Sequence, residues 1–456
     1  MTALIIFIFI FGYIGITLEH PLKMDKTVPA LLMAAGMWAL LAVGFHQGWL
    51  DVIDGHDTVF NFLKGGEHAQ EGFHNLLLHH LGKTAEILVF LIGAMTIVEI
   101  IDLHKGFDII KSWIKAKSKK KLLWIMVALA FILSAIIDNL TATIVLITLL
   151  RKLVTKRNDR LWFAGMIVIA ANAGGAWSPI GDVTTTMLWI GKRVSAAHLV
   201  ERLILPSIAS VLIPTFIAGF LPAFKGNIDV DVRDDDEKGH RLLSSKKMLF
   251  LGLGMIVFVP IFKTITHLPP YIGMMLGLGV VWLVSEYIHP EEDFTEERKH
   301  LYSPHKALSR IEMSSILFFL GILMAVAALE TLVYGVTAAG EQVGTLRYLA
   351  EILNNTIPNQ DVVILLLGIL SAIIDNVPLV AASMGMYEAP MDTSLWHLIA
   401  YAAGTGGSML IIGSAAGVAA MGMEKIDFIW YFKKITWLAA IGFVVGYILL
   451  LFMESL

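Results

Sequence analysis

Long apolar runs alternate with short polar stretches along all 456 residues, and most of the runs are close to one membrane crossing in length. A hydrocarbon core of about 30 Å takes roughly 20 helical residues. The pattern predicts spans at 2–18, 27–44, 84–101, 161–191, 203–222, 249–266, 271–288, 313–334, 397–422 and 434–453. Two further apolar stretches, 122–150 and 362–388, do not fit it. The first holds 29 residues, which as helix reach roughly 43 Å at about 1.5 Å per residue. That is too long for one upright crossing and too short for two. A re-entrant helical hairpin fits the length; one strongly tilted helix is the alternative.

Both stretches carry the hexapeptide Ser-Ala-Ile-Ile-Asp-Asn near their middle, at Ser134–Asn139 and Ser371–Asn376. A carboxylate at the centre of a membrane helix costs about 2.5–3.5 kcal/mol even on insertion scales. Two such costs with identical flanks imply a duplicated unit in which each copy brings an Asp-Asn pair to a shared site. Other matches agree. Gly174-Gly175 through Gly181-Asp182 aligns with Gly406-Gly407 through Gly413-Ser414, and Phe90-Leu-Ile-Gly93 resembles Phe319-Leu-Gly321.

The basic residues orient the chain. With the N-terminus outside and both hairpins returning to their own side, the inside loops hold 27 of the 34 Lys and Arg residues and the outside loops hold 6. This is a strong positive-inside bias. Both flanks of 122–150 are basic, whereas those of 362–388 are nearly free of basic charge, so the two hairpins open to opposite sides. The fold predicted is an all-α polytopic membrane protein with two inverted-topology repeats, each holding a re-entrant helical hairpin and a discontinuous transmembrane helix. Residues 1–222 form the first repeat, with hairpin 122–150 and broken helix 161–191. Residues 223–248 form a cytoplasmic linker whose run Asp229–Glu237 reads as solvated charge. Residues 249–456 form the second repeat, with hairpin 362–388 and broken helix 397–422. The first apolar segment, Leu4–Thr17, lacks a basic leader and an Ala-x-Ala site, so it is expected to stay as a helix.

Composition sharpens this. Hydrophobic residues make up 57% of the chain and charged residues 16%, with a mean hydropathy of +0.74; the natural solvent is the lipid bilayer. The absence of cysteine removes disulfides, thiolate chemistry and Cys-based zinc sites. No phosphate-binding glycine loop, nucleophile elbow or nucleotide site is evident, so the expectation is a protein that is no enzyme, needs no cofactor, binds no nucleic acid and is not driven by ATP.

The candidate chemistry lies at the hairpin tips and helix breaks. Glycines and Pro179 interrupt the spans, and unwound backbone at membrane depth survives only where it is buried or lines a wet cavity. A small hard cation needs oxygen donors. Asp138, Asn139, Thr141 and Thr143 supply them at one tip, Asp375 and Asn376 at the other. Asp182, Thr184, Thr185 and Thr186 supply them at the first break, and Thr405, Ser408 and Ser414 more weakly at the second. Three intramembrane acids favour cations over anions. A carboxylate in a low-dielectric cavity also disfavours its bare charge, so a cation and a proton compete for it. That competition is sufficient for exchange. Asp138 and Asp375 each have a plainer role open to them, capping a half-helix that starts at the hairpin turn. His68, His74, His79 and His80 match no firm metal spacing and read as a solvated outer loop; Glu99 and Asp102 read as interfacial.

The repeated Ser-Ala-Ile-Ile-Asp-Asn, followed by Asn172-Ala-Gly-Gly-Ala-Trp-Ser-Pro-Ile-Gly-Asp182-Val-Thr-Thr, resembles the NhaD-type sodium/proton antiporters of the ion transporter superfamily. The resemblance covers nearly the whole chain. It implies a homodimer of inverted repeats that expels cytoplasmic Na⁺ or Li⁺ in exchange for external H⁺, supporting growth in salt and alkali. It assigns the transport site to Ser134, Asp138, Asn139, Asn172, Asp182, Thr184, Thr185, Ser371 and Asn376, with Thr141, Ser178, Thr405, Ser408 and Ser414 as weaker members. The expected function is secondary Na⁺(Li⁺)/H⁺ antiport by alternating access in a bacterial-type cytoplasmic membrane. Asp138 and Asp182 would hold Na⁺, with Asp375 third. The alternative is a Na⁺-coupled symporter of a dicarboxylate or oxyanion, and a gated cation channel is a further rival.

Overall fold

The computed structural model describes residues 1–54, 58–114, 116–228, 242–288, 302–336, 342–357, 359–373 and 376–455. It is almost entirely helical, and eight of its helices are long and apolar enough to cross a membrane: Thr27–His46, Phe62–Leu103, Lys119–Ile137, Ala196–Ala218, Ser245–Thr266, Pro270–Tyr287, Met313–Thr331 and Thr436–Glu454. This is a polytopic membrane protein. The small departure from an all-α fold is two antiparallel ribbons, Val52–Ile53 with Val59–Phe60 and Val333–Val336 with Gln342–Gly344. The linker run Asp229–Glu237 lies outside the described residues.

The chain divides into two compact units, each assembled from three separate segments of the sequence. The first comprises Met1–Leu88, Glu312–Leu366 and Val377–Pro390. Within it, Thr27–His46 packs against both Thr2–Thr17 and Met313–Thr331. Trp38 Nε1 donates to the Met324 carbonyl at 2.8 Å and Thr27 Oγ1 to that of Ser314 at 3.0 Å. Gly321 faces the Ala30 backbone, where a side chain would not fit. The loop expected to contain four histidines is instead the start of Phe62–Leu103, a helix kinked at Gly66. His68, His74 and His79 are exposed, as expected of a solvated stretch. His80 is not: it is buried, and its Nε2 lies 3.2 Å from Thr331 Oγ1. Apolar and polar positions in 62–83 alternate too loosely to separate amphipathic helix from loop.

The second unit comprises Val89–Ile311, Leu367–Asn376 and Met391–Leu456. At its centre Arg157–Ala176 packs on Lys119–Ile137, Asn139–Leu153, Ala196–Ala218, Ser394–Gly406 and Ala415–Glu424. Every residue of Phe163–Ala176 is buried, which explains the run of apolar and small residues there, broken by Asn172 alone. A helix covered on all sides has no polar face.

Candidate functional site

Both unusual apolar stretches are helix pairs, and both long polar-interrupted spans are broken helices. The first pair is Lys119–Ile137 and Asn139–Leu153, packed on one another and joined at Asp138. The second is Gln360–Ser371 and Asn376–Met386. The first interrupted helix is Arg157–Ala176 with Val183–Ile190, and the second is Ser394–Gly406 with Ala415–Glu424.

Four of the glycines act differently from their expected role as breakers. Gly174, Gly175, Gly404 and Gly406 sit inside helices, and the breaks fall just after them, at 177–182 and 407–414. Their task is close approach. A side chain at Gly174 would run into the Phe131 carbonyl oxygen of the first helix pair, and one at Gly406 into that of Gly368 in the second. Gly181 and Gly413 repeat this against the backbone of Ser134–Ala135 and Ala372. The hydroxyls repeat it too. Ser134 Oγ donates to the Ala171 carbonyl at 2.5 Å, and Ser371 Oγ to that of Ala403 at 3.1 Å. Each half therefore docks the turn of its helix pair onto its own broken helix through the same contacts.

Polar groups then collect on the first half. Asp138 caps Asn139–Leu153, its two oxygens accepting from the Thr141 amide and the Thr141 hydroxyl, both at 2.8 Å. It does so at φ 81° and ψ 159°, a region nearly closed to residues with a Cβ and costing about 1–3 kcal/mol. Such strain concentrates at functional sites. Asp182 is buried at 2% exposure and caps Val183–Ile190. Its Oδ1 accepts from the Thr184 amide at 2.8 Å and the Thr184 hydroxyl at 2.7 Å. Asn139 Nδ2 donates to Asp182 Oδ2 at 2.5 Å and to Asn172 Oδ1 at 3.0 Å. Asn172 Nδ2 in turn donates to Ser414 Oγ at 2.9 Å, so one residue of the second broken helix enters the cluster. Thr143 Oγ1 is buried beside Asn139 on the same helix face, with no hydrogen-bond partner.

Other expected site residues brace the scaffold. Ser178 Oγ donates to the Ala135 carbonyl at 2.6 Å. Thr185 Oγ1 donates to the Ser178 and Asp182 carbonyls at 2.7 and 3.0 Å, and Thr186 Oγ1 to that of Pro179 at 3.0 Å. The Ala135, Ser178 and Pro179 carbonyls lie at helix ends or in the break, where the helix offers them no donor; the Asp182 carbonyl also takes the Thr186 amide at 2.9 Å. Thr405 and Ser408 bond back to the Tyr401 and Thr405 carbonyls of their own helix. Asn376 is buried with its amide nitrogen unpartnered. Asp375 lies outside the described residues. The capping role foreseen as the plainer reading is therefore real for Asp138; Asp182 caps as well, and both caps coexist with a polar cluster that capping does not require.

Sequence reasoning missed Glu424. It is buried at the end of the second broken helix, with Oε1 2.7 Å from Arg151 Nε and Oε2 3.0 Å from Arg160 Nε. Arg157 adds a bond to the Lys425 carbonyl at 2.9 Å. Five basic residues in 151–160 were the available signal, but they had been accounted for by orientation alone. His104 was also missed: beyond the end of Phe62–Leu103 it is buried between Ser244 and Ser285, at 2.8 and 3.1 Å. Burial holds its pKa down to about 4, so the ring stays neutral and acts as a tie. Among the described residues no three His, Asp or Glu side chains gather as a metal cage. A monovalent cation would rely on the mixed carboxylate, amide and hydroxyl oxygens above.

Comparison with known proteins agrees with the residues. A family described as "Citrate transporter" matches residues 4–396. "Sodium/proton antiporter 1" of Arabidopsis thaliana is 44% identical over 438 residues, covering 95% of this chain and 69% of that protein. "Sodium/proton antiporter 2" of the same plant is 41% identical over 440 residues, 95% and 96% of the two chains. "Na(+)/H(+) antiporter NhaD" of Vibrio parahaemolyticus is 31% identical over 448 residues, 92% and 97%. These relatives are transporters rather than enzymes. With matches this long, the chain belongs to the NhaD-type sodium/proton antiporters, within the wider family described by its citrate transporters.

Proposed function

We propose that the protein exchanges cytoplasmic Na⁺ or Li⁺ for external H⁺ by alternating access, with cation and proton competing for Asp138 and Asp182. The observation that carries this reading is Asp182: a buried carboxylate joined through Asn139 to a second amide and a hydroxyl, among oxygens suited to a small hard cation. A buried carboxylate is stable with a proton or with a cation but not bare, so loading one displaces the other. The helix pairs would be re-entrant hairpins of two inverted repeats, 1–222 and 249–456, joined by the 223–248 linker. The matched glycine and serine contacts of the two halves support that duplication. The N-terminus would lie outside a bacterial-type cytoplasmic membrane, and the protein would work as a homodimer. Ser134, Ser178, Thr185 and Ser371 would serve by holding the turns in place. Thr141 and Thr184 would orient the two carboxylates, and Asn376 and Asp375 would form the poorer second half of the site.

In everted vesicles, Asp138→Asn should remove Na⁺-induced dequenching of a pH dye while the protein stays inserted. Retention of more than about half the wild-type signal ends the assignment. Lowering the pH should raise the apparent KM for Na⁺, because the proton occupies the same groups. The citrate transporter family match favours a second reading, a Na⁺-coupled carrier of a dicarboxylate or oxyanion. Na⁺-driven uptake of labelled citrate or succinate into liposomes would establish it.

A further inference from the structure

The polar chain Asp182–Asn139–Asn172–Ser414 is built so that its direction can reverse. As the structure stands, the donors run outward from Asn139: its Nδ2 gives to both Asp182 Oδ2 and Asn172 Oδ1, and Asn172 Nδ2 gives on to Ser414 Oγ. The orientation of Asn139 is forced. It stands between two oxygens, and only an NH₂ group satisfies both. That NH₂ occupies the place between carboxylate and amide oxygens where a cation would sit.

A cation beside Asp182 changes the requirement. Asn139 must then face the carboxylate with its oxygen, because an NH₂ group repels the ion. Once Asn139 turns, its NH₂ leaves Asn172 Oδ1, and Asn172 must turn as well to give its own NH₂ to Asn139. Asn172 Oδ1 then needs a donor at the far end. Ser414 can supply one: its oxygen accepts from the Gly417 amide at 3.2 Å as a helix cap, and its hydroxyl hydrogen remains available. All four groups are nine-tenths buried or more, so no bulk water is at hand to make up a missing bond.

We infer that Na⁺ arrival at Asp182 turns the Asn139 and Asn172 amides over together, so that occupancy of the first broken helix is reported at the Ser414 cap of the second. Ser414 is thereby a positioning residue for transport. The inference rests on the reading of Asp182 as a Na⁺ carboxylate. It is tested on the full-length protein in liposomes carrying asparagine labelled with ¹³C at the side-chain carbonyl, by infrared difference spectra between Na⁺ and choline, alongside Na⁺ titrations of exchange. Wild type should show a Na⁺-dependent displacement of the labelled amide band, and Asn139→Ser should lose it. Ser414→Gly keeps helix capping to within a few tenths of a kcal/mol but removes the hydroxyl; it should weaken the band change and raise the apparent KM for Na⁺ about tenfold. Ser414→Thr should behave as wild type. An unchanged KM and spectrum in Ser414→Gly, or a wild-type protein that exchanges Na⁺ with no amide band change, overturns the inference. Asp182→Asn separates the layers: if it exchanges as well as wild type, the site reading itself fails, and the amide chain with it.

Discussion

The two broken helices share a backbone and differ in chemistry. Asp182 and Ser414 cap the second segments of the two breaks at nearly the same angles, φ −149° and ψ 145° against φ −150° and ψ 154°. Each lies eight residues past a glycine that meets the backbone of its helix pair. Yet the first broken helix carries Asn172, Asp182 and Thr184 where the second carries Gly404, Ser414 and Ala416. Glycine contacts and serine-to-carbonyl bonds hold a shape, and that shape is kept in both halves. Charge is kept in one. Among the described residues, the second broken helix joins the polar cluster around Asp182 through the hydroxyl of Ser414.

The comparison breaks most visibly in transport. Asp182→Asn should lower Na⁺-dependent exchange by about a hundredfold or more, since charge count dominates hard-cation affinity; Ser414→Ala should cost about tenfold. Equal losses at the two caps would contradict the asymmetry. Stability should show the opposite, a symmetry. Gly174→Ala and Gly406→Ala each force a Cβ against a backbone oxygen and should each destabilise by about 1–3 kcal/mol, read from thermal melts in detergent. A tolerant Gly406→Ala beside an intolerant Gly174→Ala would show that the second docking is looser than its geometry. Smallest are Ser134→Ala and Ser371→Ala, at about 1 kcal/mol each for one buried hydrogen bond. A transport loss in Ser134→Ala well beyond its loss of stability would move that residue from the scaffold into the ion path.

Much of this scaffold was legible in the sequence. The helix pairs run 119–153 and 360–386 against predicted 122–150 and 362–388, because an apolar stretch of that length around one Asp-Asn leaves few other solutions. The breaks were placed in the right spans, and Pro179, Gly181, Gly407 and Gly413 lie in them, whereas Gly174 and Gly406 sit within helix. Glycine marks both an unwound turn and a close helix contact, and Gly174 and Gly406 do the second. The Asn172–Ser414 bond was beyond reach: it joins residues 242 apart, and neither side chain has a partner of its own kind in the other half. Glu424 was hidden for a related reason, since a lone acid beside Lys425 looks solvated until Arg151 and Arg160 fold onto it.

The most direct test is purified protein in liposomes with a trapped pH dye, given a step of Na⁺, Li⁺ or K⁺ on one side. The account predicts proton movement opposite to Na⁺ and Li⁺, and none of it in Asp182→Asn protein reconstituted to the same density. Na⁺ flux without counter-movement of protons, or exchange by Asp182→Asn at more than about half the wild-type rate, would contradict it.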